Sequence, residues 1–181
     1  MASHSSAGQT GALVLLVLGG ARSGKSRFAE DLLAGHAGRR IYLATAEPGD
    51  AEMQSRIAKH RQRRGASWQT IEAPLDVAGV IAAAEGRAVL LDCLTLWLAN
   101  LMAAGRDIEA ATGELAEALS GARAPVVLVS NEVGLGIVPD NALARAFRDH
   151  AGRLNQELAA RADRVFFLAA GLPLTLKDKA A

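Results

Sequence analysis

The chain has 181 residues, enough for one domain of ordinary size with a full hydrophobic core. Half of the residues are hydrophobic and the formal net charge is +1, which argues against broad binding of nucleic acid or of a membrane surface as the main task. The single cysteine, Cys93, excludes an internal disulfide and a cysteine-rich metal site, and a reducing cytoplasm is the expected compartment.

The N-terminal segment 1–11 is polar and is predicted to be a disordered tail, with residues 12–181 forming one domain. This segment has no Lys or Arg, and the apolar run that follows it, 12–18, continues directly into a glycine-rich stretch. Both features argue against a signal peptide. No membrane span is predicted, because no stretch approaches the roughly 18 apolar residues that a spanning helix needs.

The glycine-rich stretch, GGARSGKS, fits the phosphate-binding pattern G-x-x-x-x-G-K-[ST]. Gly19 and Gly24 permit backbone conformations in which successive N–H groups surround a polyphosphate. Lys25 supplies a positive charge to the β and γ phosphates, and Ser26 offers a hydroxyl to Mg²⁺. The alternative is a glycine-rich turn with a fortuitous lysine, but the strand before and the helix after favour nucleotide binding. The predicted loop consists of Gly19, Gly20, Ala21, Arg22, Ser23, Gly24, Lys25 and Ser26.

Continuous apolar runs alternate with helical patterns along the rest of the chain. The runs predict strands at 13–18, 41–45, 88–92, 126–130 and 165–170. The helical patterns lie at 24–35, 50–64, 75–85, 94–103, 108–121 and 141–162. Such runs are typical of strands covered on both faces, so the predicted fold class is α/β, with a mostly parallel sheet and helices on both faces. Segments 67–71 and 174–177 are predicted to add an edge strand and a last strand.

Ligands of an open parallel sheet bind beyond the carboxyl ends of its strands. Asp92 ends the apolar run AVLLD there, and it is expected to orient Mg²⁺ through a water or together with the Ser26 hydroxyl. The alternative role for Asp92 is to cap the helix that starts at Leu94.

The segment 131–141 after the fourth strand run is polar and rich in glycine, which favours a binding loop. Asn131 and Glu132 are expected to contact substrate or metal. The alternative is a plain connection in which Asp140 or Asn141 caps the next helix.

The predicted helix 50–64 carries a basic cluster on the ligand side of the sheet. Arg56, His60 and Arg63 share one face of this helix. The surrounding cations favour a neutral imidazole with a free ring nitrogen, so His60 is a candidate nucleophile toward a nucleotide phosphate. The residues alone leave two alternatives open, a histidine that only contacts phosphate and a solvated basic surface.

Several longer motifs occur together in this chain, namely GGARSGKS, RIAKHR, LLDCLTLWLANL and SNEVGLGIVP. Over residues 13–177 the sequence resembles the bifunctional adenosylcobinamide kinase/adenosylcobinamide-phosphate guanylyltransferase family of cobalamin biosynthesis. The resemblance implies a RecA-like P-loop fold, a homotrimer, and ATP and GTP as substrates, and the Mg²⁺ expected at Ser26 and Asp92 is the predicted cofactor. It implies that adenosylcobinamide is phosphorylated and that GMP is then transferred from GTP to give adenosylcobinamide-GDP and pyrophosphate.

In this family a histidine after the second strand carries GMP covalently, and His60 is the matching residue. Some relatives have two adjacent histidines where this chain has Lys59 and His60. Besides the loop 19–26, the resemblance implies nucleotide contacts from Ala44, Thr45, Ala46, Arg61, Gln62, Arg63, Arg64, Glu72 and Asp92. The alternatives are a single-activity P-loop small-molecule kinase and a nucleotide-dependent switch or assembly ATPase.

Overall fold

The structure is a computed structural model that describes residues 12–46, 65 and 67–179. Its strands are β1 (Val14–Gly19), β2 (Arg40–Ala44), β3 (Trp68–Glu72), β4 (Val89–Asp92), β5 (Val126–Val129), β6 (Arg164–Ala169) and β7 (Leu172–Asp178). Its helices are α1 (Lys25–Leu32), α2 (Val77–Ala82), α3 (Leu94–Ala103), α4 (Ile108–Ser120) and α5 (Ala142–Arg161).

The seven strands form one sheet in the order β3-β2-β4-β5-β1-β6-β7. All neighbouring pairs are parallel except β6 and β7, which are antiparallel. The prediction of an α/β fold with a mostly parallel sheet is therefore confirmed. Both short segments predicted as additional strands pair at the edges, as β3 and β7.

The sheet has an apolar core on each face, as the continuous apolar runs predicted. Alternate residues of β1 divide between the two cores: Leu16 packs in the larger core with helices α2 to α5, and Val17 packs in the smaller core with α1. Because successive side chains of a strand point to opposite faces, a strand covered on both sides needs apolar residues at every position. All six residues of β1 are buried.

Two helices are shorter than predicted, for a local reason. After α1 the N–H groups of Leu33 and Ala34 donate to carbonyls three residues earlier, so the last turn tightens and the α-helix ends at Leu32. Helix α2 begins only after Asp76, whose carboxylate accepts from the Gly79 N–H as an N-cap. The predicted tail 1–11 and helix 50–64 lie outside the described residues.

Trp97 of α3 connects the larger core to the carboxyl edge of the sheet. Its side chain is almost completely buried, and its indole N–H donates to the carbonyl of Leu75 at 2.8 Å. A buried indole needs such a partner, and the bond fixes α3 against the segment that follows β3. In the part of the chain that the structure describes, no helix has the length and apolar character needed to cross a membrane.

Candidate active site

The segment between β1 and α1 turns sharply at its glycines. Gly19 and Gly24 have φ angles of 148° and 97°, in the region that favours glycine. A Cβ on Gly19 would lie 2.5 Å from the backbone oxygen of Leu168 on β6, closer than atoms can approach. Glycine at position 19 is therefore required by the close contact between the loop and the neighbouring strand.

Main-chain hydrogen bonds hold this loop from both sides. On one side the Glu132 N–H, just after β5, donates to the Gly19 carbonyl at 3.1 Å. On the other side the Gly171 N–H, in the turn between β6 and β7, donates to the Ser23 carbonyl at 3.0 Å. The loop is thus fixed between the two strands that flank β1.

Helix α1 begins at Lys25, directly after the loop. Its N-cap residue, Gly24, provides no side-chain cap for the first N–H groups of the helix. Such groups, together with the helix dipole, favour binding of an anion. Ser26 lies in this first turn, and its side chain is half-buried.

Lys25 places a buried ammonium group at the same point. The residue is only 7% exposed, and its Nζ donates to the Gly20 carbonyl at 2.6 Å. Burial lowers the pKa of Lys25 below its ordinary value, while the neighbouring Cys93 and Asp92 act in the opposite direction. A cation partly stripped of water interacts strongly with an incoming phosphate.

The sheet register brings several predicted site residues into one row. Ala44 of β2 pairs with Glu72 of β3 on one side and with Asp92 of β4 on the other. Asp92 in turn pairs with Val129 of β5, the strand next to β1. The row lies at the carboxyl edge of the sheet, where the phosphate loop also begins.

Asp92 is held by a neighbouring strand. The hydroxyl of Tyr42 on β2 donates to Asp92 Oδ2 at 2.9 Å. The alternative role of Asp92 as a helix cap is wrong, because Cys93 occupies the N-cap position of α3 and makes no side-chain cap bond. The carboxylate of Asp92 is thus oriented at the edge of the sheet and does not cap α3.

The oxygen donors at this edge are of the kind that Mg²⁺ prefers, a hydroxyl of Ser26 and a carboxylate of Asp92. Within the described ranges no three His, Cys, Asp or Glu side chains are grouped as a metal site. Water and phosphate usually supply most of the remaining ligands of this ion in nucleotide enzymes.

Thr45 and Asn100 fix the ends of β2, β3 and β4. Asn100 was not singled out from the sequence. Thr45 Oγ1 accepts from the Cys93 N–H at 2.9 Å and donates to the Cys93 carbonyl at 2.8 Å. The Asn100 amide donates to the carbonyls of Thr45 and Pro74, at 2.8 and 3.0 Å. The signal in the sequence that could have indicated this role of Asn100 is a single amide side chain within the apolar helix sequence LTLWLANLMA. The hydroxyl and the carbonyl of Thr45 are thus both engaged within the protein, and this residue is fully buried, whereas Ala46 beside it is half-buried.

The segment after β5 has one of the two roles considered for it, the capping of the next helix. Asn141 caps α5, since its side-chain oxygen accepts from the Ala144 N–H at 2.7 Å. At the other end, the Asn131 side chain donates to Thr95 Oγ1 at 2.7 Å, and Glu132 lies beside the phosphate loop through its backbone. The capping role of Asn141 is therefore confirmed, while contacts of Asn131 and Glu132 with a ligand stay a prediction.

Cys93 is expected to react far more slowly with a thiol reagent in the folded protein than after unfolding, by at least about 100-fold. Burial raises the pKa of its thiol, and the neighbouring Asp92 carboxylate raises it further, so little of the reactive thiolate exists in mildly alkaline buffer. The check is a titration with an aromatic disulfide, with and without guanidinium chloride. Rapid labelling of the native chain would show that solvent reaches this thiol.

Five predicted residues of the nucleotide site lie outside the described residues. These are His60, Arg61, Gln62, Arg63 and Arg64. The described residues of the prediction, from the loop, from 44–46, and Glu72 and Asp92, all lie at the carboxyl edge of the sheet.

The fold and the site together define a P-loop nucleotide-binding protein. The sheet is mostly parallel, the glycine loop places a buried lysine at a helix N-terminus, and an aspartate ends a nearby strand. The sequence model of the family described as cobinamide kinase / cobinamide phosphate guanyltransferase matches residues 15–176. The chain belongs to this family.

Relatives of known name agree with this assignment. The chain is 50% identical to the bifunctional adenosylcobalamin biosynthesis protein CobP of Pseudomonas aeruginosa, over 91% of this chain and 97% of that protein. It is 43% identical to the bifunctional adenosylcobalamin biosynthesis protein CobU of Salmonella typhimurium and 41% identical to CobU of Escherichia coli, over 91% of this chain and 100% of each relative.

A solved structure supports the predicted architecture independently. The crystal structure of the RadB recombinase superposes with a TM-score of 0.51 over 86% of this chain and 73% of that chain, at 17% sequence identity. At this identity the similarity concerns the fold alone. It agrees with the RecA-like P-loop fold expected from the sequence.

Proposed function

We propose that this protein phosphorylates adenosylcobinamide with ATP or GTP and then transfers GMP from GTP to the new phosphate, giving adenosylcobinamide-GDP and pyrophosphate. Membership of the family described above supports the two reactions. The observation that carries the proposal is the position of Lys25, a buried cation between the phosphate loop and the Asp92 carboxylate.

In the first reaction the aminopropanol hydroxyl of the acceptor attacks the γ phosphorus and loses its proton, and the nucleoside diphosphate leaves. This transfer depends mainly on positioning and on neutralising charge. The backbone N–H groups of the loop and the ammonium of Lys25 would hold the β and γ phosphates. The row of Ala44, Glu72 and Asp92 would border the rest of the nucleotide.

Ser26 and Asp92 would hold Mg²⁺, which supplies further charge neutralisation on the phosphates when it is bound. The hydrogen bond from Tyr42 would keep one Asp92 oxygen engaged, leaving the other to face the ion or its waters.

In the second reaction a ring nitrogen of His60 would attack the α phosphorus of GTP, with release of pyrophosphate. An oxygen of the acceptor phosphate would then attack the GMP phosphorus, and the bond to His60 would break. The histidine helps because it divides one difficult displacement between two bulky phosphates into two steps. Arg61, Gln62, Arg63 and Arg64 would contact the nucleotide beside it.

We further propose a cytoplasmic homotrimer. The strand that supports self-association is β7, an edge strand whose leucines at positions 172, 174 and 176 are exposed. An exposed edge with large apolar side chains is a typical contact surface. The absence of further cysteines fits a reducing compartment.

Incubation with GTP labelled at the α phosphate tests the proposal. We expect a covalent label on the protein that is stable to alkali and labile to acid, as a phosphorus–nitrogen bond is. Addition of adenosylcobinamide phosphate should remove the label and form adenosylcobinamide-GDP. A protein that phosphorylates adenosylcobinamide but never acquires the label would instead be a single-activity kinase.

A further inference from the structure

Large apolar side chains face solvent in the middle of the segment that follows β5. Leu135 is 82% exposed, Ile137 is 97% exposed and Val138 is 59% exposed. Neighbouring exposed apolar residues of this size mark a contact surface, because water disfavours them and a partner removes them from it. We call these three residues the apolar loop surface.

The near end of this segment is fixed to the phosphate loop and to α3. The N–H of Ser130 donates to the Val17 carbonyl at 3.0 Å, and that of Glu132 donates to the Gly19 carbonyl at 3.1 Å. The Asn131 side chain donates to Thr95 Oγ1 at 2.7 Å. The chain therefore leaves the sheet at a defined point beside the phosphate loop.

The far end is fixed to α5. Arg145 Nη1 donates to the carbonyls of Pro139 and Asp140, at 3.0 and 2.6 Å. With both ends held by hydrogen bonds, the apolar side chains between them are presented outward from a defined frame. An unanchored loop would have more freedom to fold these side chains back against the protein.

The distance from the phosphate loop is short. An extended chain advances at most about 3.5 Å per residue, so Leu135 and Ile137 lie within about 11 and 18 Å of Glu132, which is bonded to Gly19. A large acceptor molecule could contact this surface and still reach the γ phosphate at Lys25 with a side arm.

We propose that the apolar loop surface binds one face of the corrin macrocycle of the acceptor, while the aminopropanol arm reaches the phosphate loop. This inference rests on the proposed function. A corrinoid has extended apolar faces, so exposed apolar side chains of this size, which follow the residues fixed to the phosphate loop, match its chemistry. The direct connection to the phosphate loop favours the acceptor as the occupant, whereas a second copy of the chain has the exposed β7 edge available.

The test compares two double variants of the 181-residue chain. Leu135→Asn/Ile137→Asn makes the surface polar, and Leu135→Met/Ile137→Leu keeps it apolar at the same positions. We expect the asparagine pair to raise the KM for adenosylcobinamide at least about tenfold in the kinase reaction, with kcat and the KM for nucleotide within about twofold of the parent. The apolar pair should resemble the parent in all three constants.

Molecular mass in solution is measured for each variant. An asparagine pair with the parent's KM for adenosylcobinamide would overturn the inference while leaving the proposed function intact. An asparagine pair that dissociates into smaller particles, whatever its KM, would assign the surface to a second copy and would also overturn it. A parent chain that binds GTP but phosphorylates no cobinamide would overturn the proposed function itself, and the acceptor surface with it.

Discussion

Lys25→Met is expected to lower kcat/KM of the kinase reaction roughly 100- to 1,000-fold, because it removes a charge that would contact the phosphates in the transition state. Methionine has a similar length but cannot donate a hydrogen bond or neutralise charge. The measurement is initial-rate kinetics with adenosylcobinamide and ATP. Transfer of GMP from GTP to the acceptor phosphate should fall as well, since the same loop would hold the triphosphate in both reactions.

The same substitution should leave the free energy of unfolding within about 1 kcal/mol of the parent value, and any change should be an increase. The lowered pKa of Lys25 means that folding disfavours its charged form, a cost that is fully present below the folded-state pKa and disappears as the pH rises through the unfolded-state pKa. The carbonyl of Gly20 loses the Lys25 donor but still accepts from the Ser23 N–H at 3.3 Å, and it belongs to an exposed residue that can also bond to water. Arg27→Met, on the exposed face of α1, is the matched control and should keep full activity. If Lys25→Met retained activity within tenfold of the parent, the loop would not bind the reacting phosphates as proposed.

His60→Ala is expected to reduce guanylyl transfer to below about one thousandth of the parent rate, because the proposed nucleophile is lost. Phosphorylation of adenosylcobinamide should stay within about threefold, since the first reaction does not use the imidazole. The measurement separates the two products, adenosylcobinamide phosphate and adenosylcobinamide-GDP, by chromatography. The covalent label from α-labelled GTP should disappear together with the second product.

His150→Ala on α5 serves as the control for the loss of a histidine. It should retain both reactions and the covalent label. Normal labelling of the His60→Ala chain would show that another residue carries GMP, or that the transfer is direct. Loss of both reactions would point to a structural role for His60.

Sequence patterns predicted the strands well for a definite physical reason. Central strands covered on both faces need unbroken apolar runs, and such runs locate β1, β4 and β5 within one or two residues. Helix ends were less accurate, because they depend on local bonds such as those of Leu33 and Ala34 rather than on periodicity.

The phosphate loop was also readable from sequence, because its chemistry is contained in eight consecutive residues. The row that joins Glu72, Ala44 and Asp92 could not be read from the sequence, because it depends on the order and register of strands far apart in the chain. For the same reason the bond from Tyr42 to Asp92, between residues 50 positions apart, gave no signal in the sequence. Periodicity reports which side of a strand is buried but not which strand lies beside it.

Backbone N–H groups of Glu132 and Gly171 secure the phosphate loop from neighbouring strands. Because every non-proline residue has such a group, this support survives most changes of side chain in those neighbours. The conformational entropy that the loop loses on becoming ordered is lost when the sheet forms, before any nucleotide binds. The phosphate loop is therefore preorganised, so that less of the favourable free energy of each phosphate contact is offset by ordering the loop and more of it contributes to binding affinity.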